Sequence, residues 1–194
     1  MTNKLPYSTS FTAVGLEVRQ FEQVCRWLDE YGPEADAPLD LTESVRSSTH
    51  LRKFREFKKR WEGLTREEKK ILYTGDSNEK RGIAFLSMVR CYRLIGRFVI
   101  EVLWERLKQM DSTVTYKDYD HYFEKLGKEY PAMLNMAEST YNNSRNRVFR
   151  ILRDSGLLVG SESFDILSFY PGSRVVSYLE QTQPQYLKFF LVNR

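Results

Sequence analysis

Glu138-Ser-Thr-Tyr-Asn-Asn-Ser-Arg-Asn-Arg-Val-Phe-Arg-Ile-Leu-Arg-Asp-Ser-Gly-Leu-Leu158 reads as one amphipathic helix closed by a glycine. Tyr141, Ser144, Val148, Ile151 and Leu152 recur at helical spacing and are expected to face a core. The opposite side carries Ser139, Asn142, Asn143, Asn146, Arg150 and Arg153, with Arg145 and Arg147 on its flanks. No acidic residue falls between Ser139 and Arg153. Asn and Arg are the side chains that make paired hydrogen bonds to adenine and guanine edges in a major groove. Asparagines at 142, 143 and 146 weaken a helix by propensity, so a solvated structural face is the poorer account of them.

The flanks of this helix set the architecture. Gly156 is the expected C-terminal cap, and residues 157–159, 160–161 and 164–169 read as strand, turn and strand. Pro171-Gly172 ends the hairpin, residues 174–181 form a further helix, and a hydrophobic tail ends at Val192. Upstream, Thr115 with Asp118 makes a capping box for a helix that buries Tyr119, Tyr122, Phe123, Leu126 and Tyr130. Pro131 ends that helix or opens a very short one through Met133, Leu134 and Met136. Helix, short helix, longer helix and hairpin is the order of a winged helix-turn-helix.

In that arrangement the N-terminal turns of the longer helix meet base edges and its later basic residues meet phosphates. Thr140, Asn142, Asn143 and Asn146 are therefore assigned to base contact or groove lining, and Arg145, Arg147, Arg150 and Arg153 mainly to phosphates. Ser139 either joins them or caps the helix. The wing residues Ser161, Glu162 and Ser163 are short and not basic, which predicts weak or shape-based contact there.

The N-terminal part reads as a helical bundle. A helix over 13–31 stops at Gly32-Pro33, and a second over 43–61 places Leu51, Phe54, Phe57 and Trp61 on one side. Arg46, Arg52, Lys53, Arg55, Lys58, Lys59 and Arg60 largely cover the rest as a second basic face, for phosphate or for an acidic partner. Thr65 with Glu68 opens a short helix that ends near Gly75, and Asp76-Ser77 starts a long helical region to about Met110 with a break expected near Gly96. The fold expected is mainly α: an N-terminal helical bundle over 1–112 and a C-terminal winged-helix region with a short β-hairpin over 113–194.

The whole chain of 194 residues is ample for a core, and its composition is that of an ordinary globular protein. Its net charge of +4 is unevenly placed: −5 over 1–45, +9 over 46–110, −3 over 111–138 and +3 over 139–194. Two basic segments alternating with acidic ones point to localised anion-binding surfaces. Cys25 and Cys91 lack paired spacing, which suits a reducing compartment and a cytoplasmic location. No secretory segment follows Met1, and charges interrupt the most hydrophobic region, 83–107, so a membrane span is not expected. Asp118, Asp120 and His121 resemble a metal cluster in composition, but on a helix Asp118 and His121 share a side and no third ligand appears at usable spacing. No phosphate-binding, dinucleotide or nucleophile motif occurs, so neither a cofactor nor an enzymatic activity is expected.

Tyr7-Ser-Thr-Ser-Phe-Thr12, Thr74-Gly-Asp76 before a long helix through Phe98, Thr115-Tyr-Lys-Asp-Tyr119 leading to Phe123, Ser139-Thr140, and Arg150-Ile-Leu-Arg-Asp-Ser-Gly-Leu157 form one ordered pattern. It resembles the BrxA family, small accessory proteins of bacteriophage exclusion (BREX) defence systems, from about Tyr7 to the C-terminus. The resemblance implies a bundle similar to the NusB fold, a winged-helix region and double-stranded DNA binding within a larger assembly. That assembly would hold a methyltransferase, an ATPase and a phosphatase-like protein. By position, Ser139, Thr140, Arg145 and Arg150 match the family's helix pattern. Two other readings compete: a non-enzymatic scaffold whose basic helices dock acidic partners, and RNA binding by the bundle, which rests on fold analogy alone.

Overall fold

The computed structural model describes residues 7–38 and 47–192, so the expected helix start at Glu43 and the basic Arg46 lie outside the described residues. The protein is mainly helical with one small antiparallel sheet. A 3₁₀ turn, Ser10–Ala13, buries Phe11, and the chain then extends to Glu17, which adopts left-handed backbone. The first helix, α1 (Val18–Tyr31), therefore starts later than expected and buries Phe21, Val24, Cys25 and Leu28. Helix α2 (Ser47–Glu62) buries Phe54 and Phe57, whereas Leu51 is 46% exposed.

The capping box expected at Thr65 is formed, and a second, not expected, stands at Asp76. The Glu68 backbone N–H donates to the Thr65 hydroxyl (3.2 Å) and the Thr65 N–H to the Glu68 carboxylate (2.9 Å), opening α3 (Arg66–Thr74). Asp76 accepts from the N–H groups of Asn78 and Glu79 at the head of α4 (Ser77–Cys91). Residues Gly82 to Val89 are all buried, so α4 is the central rod of the bundle. The break comes at Tyr92, four residues before Gly96, where the Tyr92 hydroxyl donates to Glu56 (2.6 Å). Helix α5 (Arg93–Phe98) passes through a π-helical turn, Val99–Trp104, into α6 (Glu105–Lys108). Gly96 instead lets the Phe189 ring pack close to the backbone.

Strand β1 (Thr113–Thr115) leads into α7 (Tyr116–Glu129), where the Asp118 carboxylate accepts from the Thr115 N–H (2.7 Å) and hydroxyl (2.9 Å). A 3₁₀ turn, Pro131–Asn135, precedes α8 (Glu138–Asp154). Gly156, at φ +86°, closes α8: its N–H donates to the Arg153 carbonyl and the Leu157 N–H to the Leu152 carbonyl, the Schellman pattern. The hairpin strands β2 (Leu158–Gly160) and β3 (Ser163–Ile166) follow, and β3 lies between β1 and β2. Val114 pairs with Phe164, and Val159 with Asp165. Sequence reasoning did not anticipate β1, because three residues carry too little alternation to register as a strand.

Helix α9 (Ser173–Thr182) and a 3₁₀ turn, Pro184–Phe190, fold back onto α3 and α4. Phe190 packs against Phe85 of α4 and Phe169 beyond β3. A second aromatic group joins Phe98 of α5, Tyr119 and Tyr122 of α7 and Phe149 of α8, and Phe149 also meets Phe164 of β3. One buried cluster thus runs through elements on both sides of residue 112, fixing α8 to the bundle as well as to the sheet. Among the described residues, no helix is long and apolar enough to cross a membrane.

Candidate nucleic-acid interface

Helix α8 is anchored by Ser144, Val148, Phe149, Ile151 and Leu152, all buried. Phe149 is an anchor that the periodicity of the sequence left out. Because Ala137 occupies the N-cap position, Ser139 lies inside the first turn and is exposed rather than capping. Thr140 and Asn142 are half-buried, while Asn143, Asn146, Arg150 and Arg153 are exposed.

Asn143, Asn146, Arg147 and Arg150 recur at intervals of three and four and so form one stripe. That stripe lines a groove of about 400 Å³, whose other lining residues are Arg52 of α2 and Thr12 of the first 3₁₀ turn. The two basic segments of the sequence, far apart along the chain, therefore meet. None of these six lining residues is acidic.

The arginines of α8 differ in their commitments. Arg145 donates to Asp120 of α7 (3.0 and 3.3 Å) and lies near the rings of Tyr116 and Tyr141. Tyr141 also donates to Asp120. Arg150 sits 3.9 Å from Asp154, a weak pair at this exposure. Arg147 is half-buried and makes no hydrogen bond or ion pair among the described residues. Burial, and then the like charge of Arg150, push its pKa down from the usual arginine value, while Glu17 and Asp154 oppose the shift. It remains a cation at neutral pH. Burial likewise pushes the Asp154 carboxyl up, against the pull of Arg150, Arg153 and Arg147.

The second basic face holds in part. Arg52, Arg55 and Lys59 are exposed and Lys58 is half-buried, while Lys53 pairs with Glu17 at 3.2 Å. Lys59 lies over the Tyr92 ring. Arg60 corrects the expectation: it is fully buried and offers nothing to a ligand. Its guanidinium donates to the Ser87 hydroxyl (2.9 Å) and to the carbonyls of Gly15, Leu16 and Ala84 (3.2–3.4 Å), and it lies 3.9 Å above the Phe21 ring. Amphipathic periodicity could not separate it from Lys59, since an arginine with enough acceptors satisfies a core position. Its effect on the site is indirect, through the segment that joins Thr12 to α1.

The wing residues Ser161, Glu162 and Ser163 are exposed. Asp118 and Asp120 are engaged by Arg106 and Arg145, and no metal-binding group of His, Cys, Asp and Glu occurs among the described residues. Thr12 was missed as a lining residue, because nothing local marks a threonine in a 3₁₀ turn as part of a distant groove.

A family model described as BrxA matches residues 5–183. A curated relative, the "BREX protein BrxA" of Paramagnetospirillum magneticum, is 26% identical over 103 residues, which make up 53% of this chain and 52% of that protein. The match thus spans about half the length of that relative. The crystal structure of an uncharacterized protein from Magnetospirillum magneticum superposes with a TM-score of 0.78 at 19% identity, covering 95% of this chain and 97% of that one. At that identity the likeness establishes the fold alone.

Proposed function

The chain belongs to the BrxA family, and from that premise we propose that it is a double-stranded DNA-binding accessory protein of a BREX phage-defence system, acting with little sequence specificity. The observation that carries the reading is the convergence of Arg52, Arg147 and Arg150, from two separate helices, on one groove that also holds Asn143 and Asn146. Guanidinium groups neutralise backbone phosphates, and amides add hydrogen bonds to base edges or sugars.

The order β1, α7, short 3₁₀ turn, α8, β2 and β3 is read as a winged helix-turn-helix with α8 as its recognition helix. The α1–α6 bundle is read as NusB-like, on fold analogy. Thr140 and Asn142 precede Asn143 and Asn146 by about one turn and are half-buried, and exposed Arg153 adds a charge one turn beyond Arg150. Without a basic residue in the wing, contact leans on phosphates and groove shape, which disfavours strong base discrimination. The protein is taken as non-enzymatic and cytoplasmic, needing no cofactor and working with the methyltransferase, ATPase and phosphatase-like components of the system.

Arg55 and Lys59 are exposed without lining the groove, which favours a second reading in which α2 docks an acidic partner of the same assembly. Fluorescence anisotropy with two duplexes of unrelated sequence at about 50 mM salt tests the first reading. Comparable binding to both is expected, and absence of binding to either rejects it.

A further inference from the structure

We infer that the groove between α2 and α8 is a seat for a single phosphate group, with Arg147 as its floor and Arg52 and Arg150 as its walls. The inference rests on the DNA reading for its source, a backbone phosphate of the duplex.

Arg60, Arg90, Arg97, Arg106 and Arg145 are all withdrawn from solvent, and each donates to a carboxylate or a carbonyl. Arg81 and Arg147 are withdrawn too, without such a partner among the described residues, but Arg81 lies over the Phe169 ring whereas Arg147 faces the groove. A half-buried guanidinium that faces a groove and lacks an acceptor suits an external anion, because its desolvation is offset only by carboxylates, Glu17 and Asp154, that do not pair with it directly. The walls suit an oxyanion. Arg52 approaches from α2, Arg150 lies one turn beyond Arg147, and neutral donors from Asn143, Asn146 and Thr12 complete the lining. A tetrahedral phosphate accepts from several directions at once and pairs with arginine forks in bidentate fashion. A volume of about 400 Å³ also leaves room for the adjoining sugars.

The seat is composite, drawing on the first 3₁₀ turn, α2 and α8. Arg60 holds its wall through the carbonyls of Gly15 and Leu16, directly after the Thr12 turn. A phosphate fixed there sets the orientation of the duplex through its backbone, which is the behaviour of a protein that grips DNA with little regard to sequence.

The test uses the full chain and two probes. Inorganic phosphate is titrated while the arginine Nε–H resonances are followed by NMR, and a duplex is titrated by anisotropy. With phosphate, the Arg147 signal is expected to shift together with those of Arg52 and Arg150, and Arg147→Ala should abolish the response of the other two. With duplex, Arg147→Ala should weaken binding about tenfold and Arg153→Ala no more than about threefold, with Arg147→Lys recovering only part of the loss. The Arg52→Ala/Arg147→Ala pair should lose less than the product of the single losses, because both act on one phosphate. Thermal unfolding confirms that each variant is folded. Duplex binding indifferent to Arg147, or strictly multiplicative losses, overturns the seat and leaves the DNA reading standing. A phosphate response at Arg147 without duplex binding keeps the seat, assigns it to free or terminal phosphate, and rejects the DNA reading. Silence of both probes rejects both.

Discussion

Arg145 of α8 and Asp120 of α7 lie 3.0 Å apart, so one of the four arginines on the helix is engaged within the protein. A guanidinium held this way has less to give a phosphate than Arg150, whose one ion-pair contact among the described residues is a 3.9 Å approach to Asp154. Arg150→Ala should lower duplex affinity about tenfold at low salt, and Arg145→Ala no more than about threefold. Stability should follow the opposite order: Arg145→Ala should lose up to about 1 kcal/mol in urea unfolding, because a part-exposed pair contributes little more. Equal affinity losses would mean that Arg145 leaves Asp120 to reach DNA.

Asp154 supplies a negative charge beside Arg150 at the C-terminal end of α8. Burial holds its carboxyl above the usual aspartate range, with the neighbouring arginines working the other way. A raised carboxyl disfavours the ionised form in the folded protein. It therefore detracts from stability above its folded pKa, and that penalty disappears below the ordinary value of about 4. Asp154→Asn should raise duplex affinity roughly threefold without lowering neutral-pH stability. A lower affinity in the titration would show that Asp154 orients Arg150 instead of opposing the phosphate.

Much of the fold was legible in the sequence because its signals are local. The Thr65–Glu68 and Thr115–Asp118 boxes, the Gly156 cap and the apolar stripe of α8 each lie within a few turns, and each formed. What escaped is tertiary. The burial of Arg60 depends on carbonyls that the segment before α1 and helix α4 bring to it, β1 exists because β3 is there to pair with, and the return of Phe190 onto Phe85 joins residues more than a hundred apart. The two basic segments were both visible, but their meeting in one groove is a property of packing. Arg46 lies outside the described residues and Arg60 is a core residue, so the second basic face is narrower than its composition suggests.

Glu68 is buried at the head of α3 and accepts from both terminal nitrogens of Arg90, at 2.7 and 2.8 Å. Arg90 also donates to Gln183 and lies over Tyr186, tying the C-terminal turn to the bundle. Removing one partner leaves the other charge buried and unpaired, which costs about 3–5 kcal/mol. Arg90→Ala should therefore lower the urea midpoint steeply. A loss under about 1 kcal/mol would show that water reaches Glu68.

Acid sensitivity is expected from Asp118. Burial would raise its carboxyl, but hydrogen bonds from the Thr115 N–H and hydroxyl, with Arg106, outweigh burial and hold it below the usual range. A lowered carboxyl contributes stability above its unfolded pKa of about 4, and that contribution is lost as pH falls through the folded value. Thermal midpoints should stay level from about pH 7 to 5 and fall below about pH 4. Asp118→Asn should flatten the acid limb, and an unchanged limb would place the sensitive carboxylates elsewhere.

The central claim is that the α2–α8 groove grips duplex DNA through its phosphates. The most direct test is the salt dependence of duplex affinity for the wild-type chain and the Arg52→Ala/Arg150→Ala variant, followed by anisotropy from about 50 to 200 mM salt. The account predicts a steep fall of affinity with salt in the wild type and a slope shallower by about two in the variant, one for each arginine removed. An unchanged slope and affinity in the folded variant would contradict it.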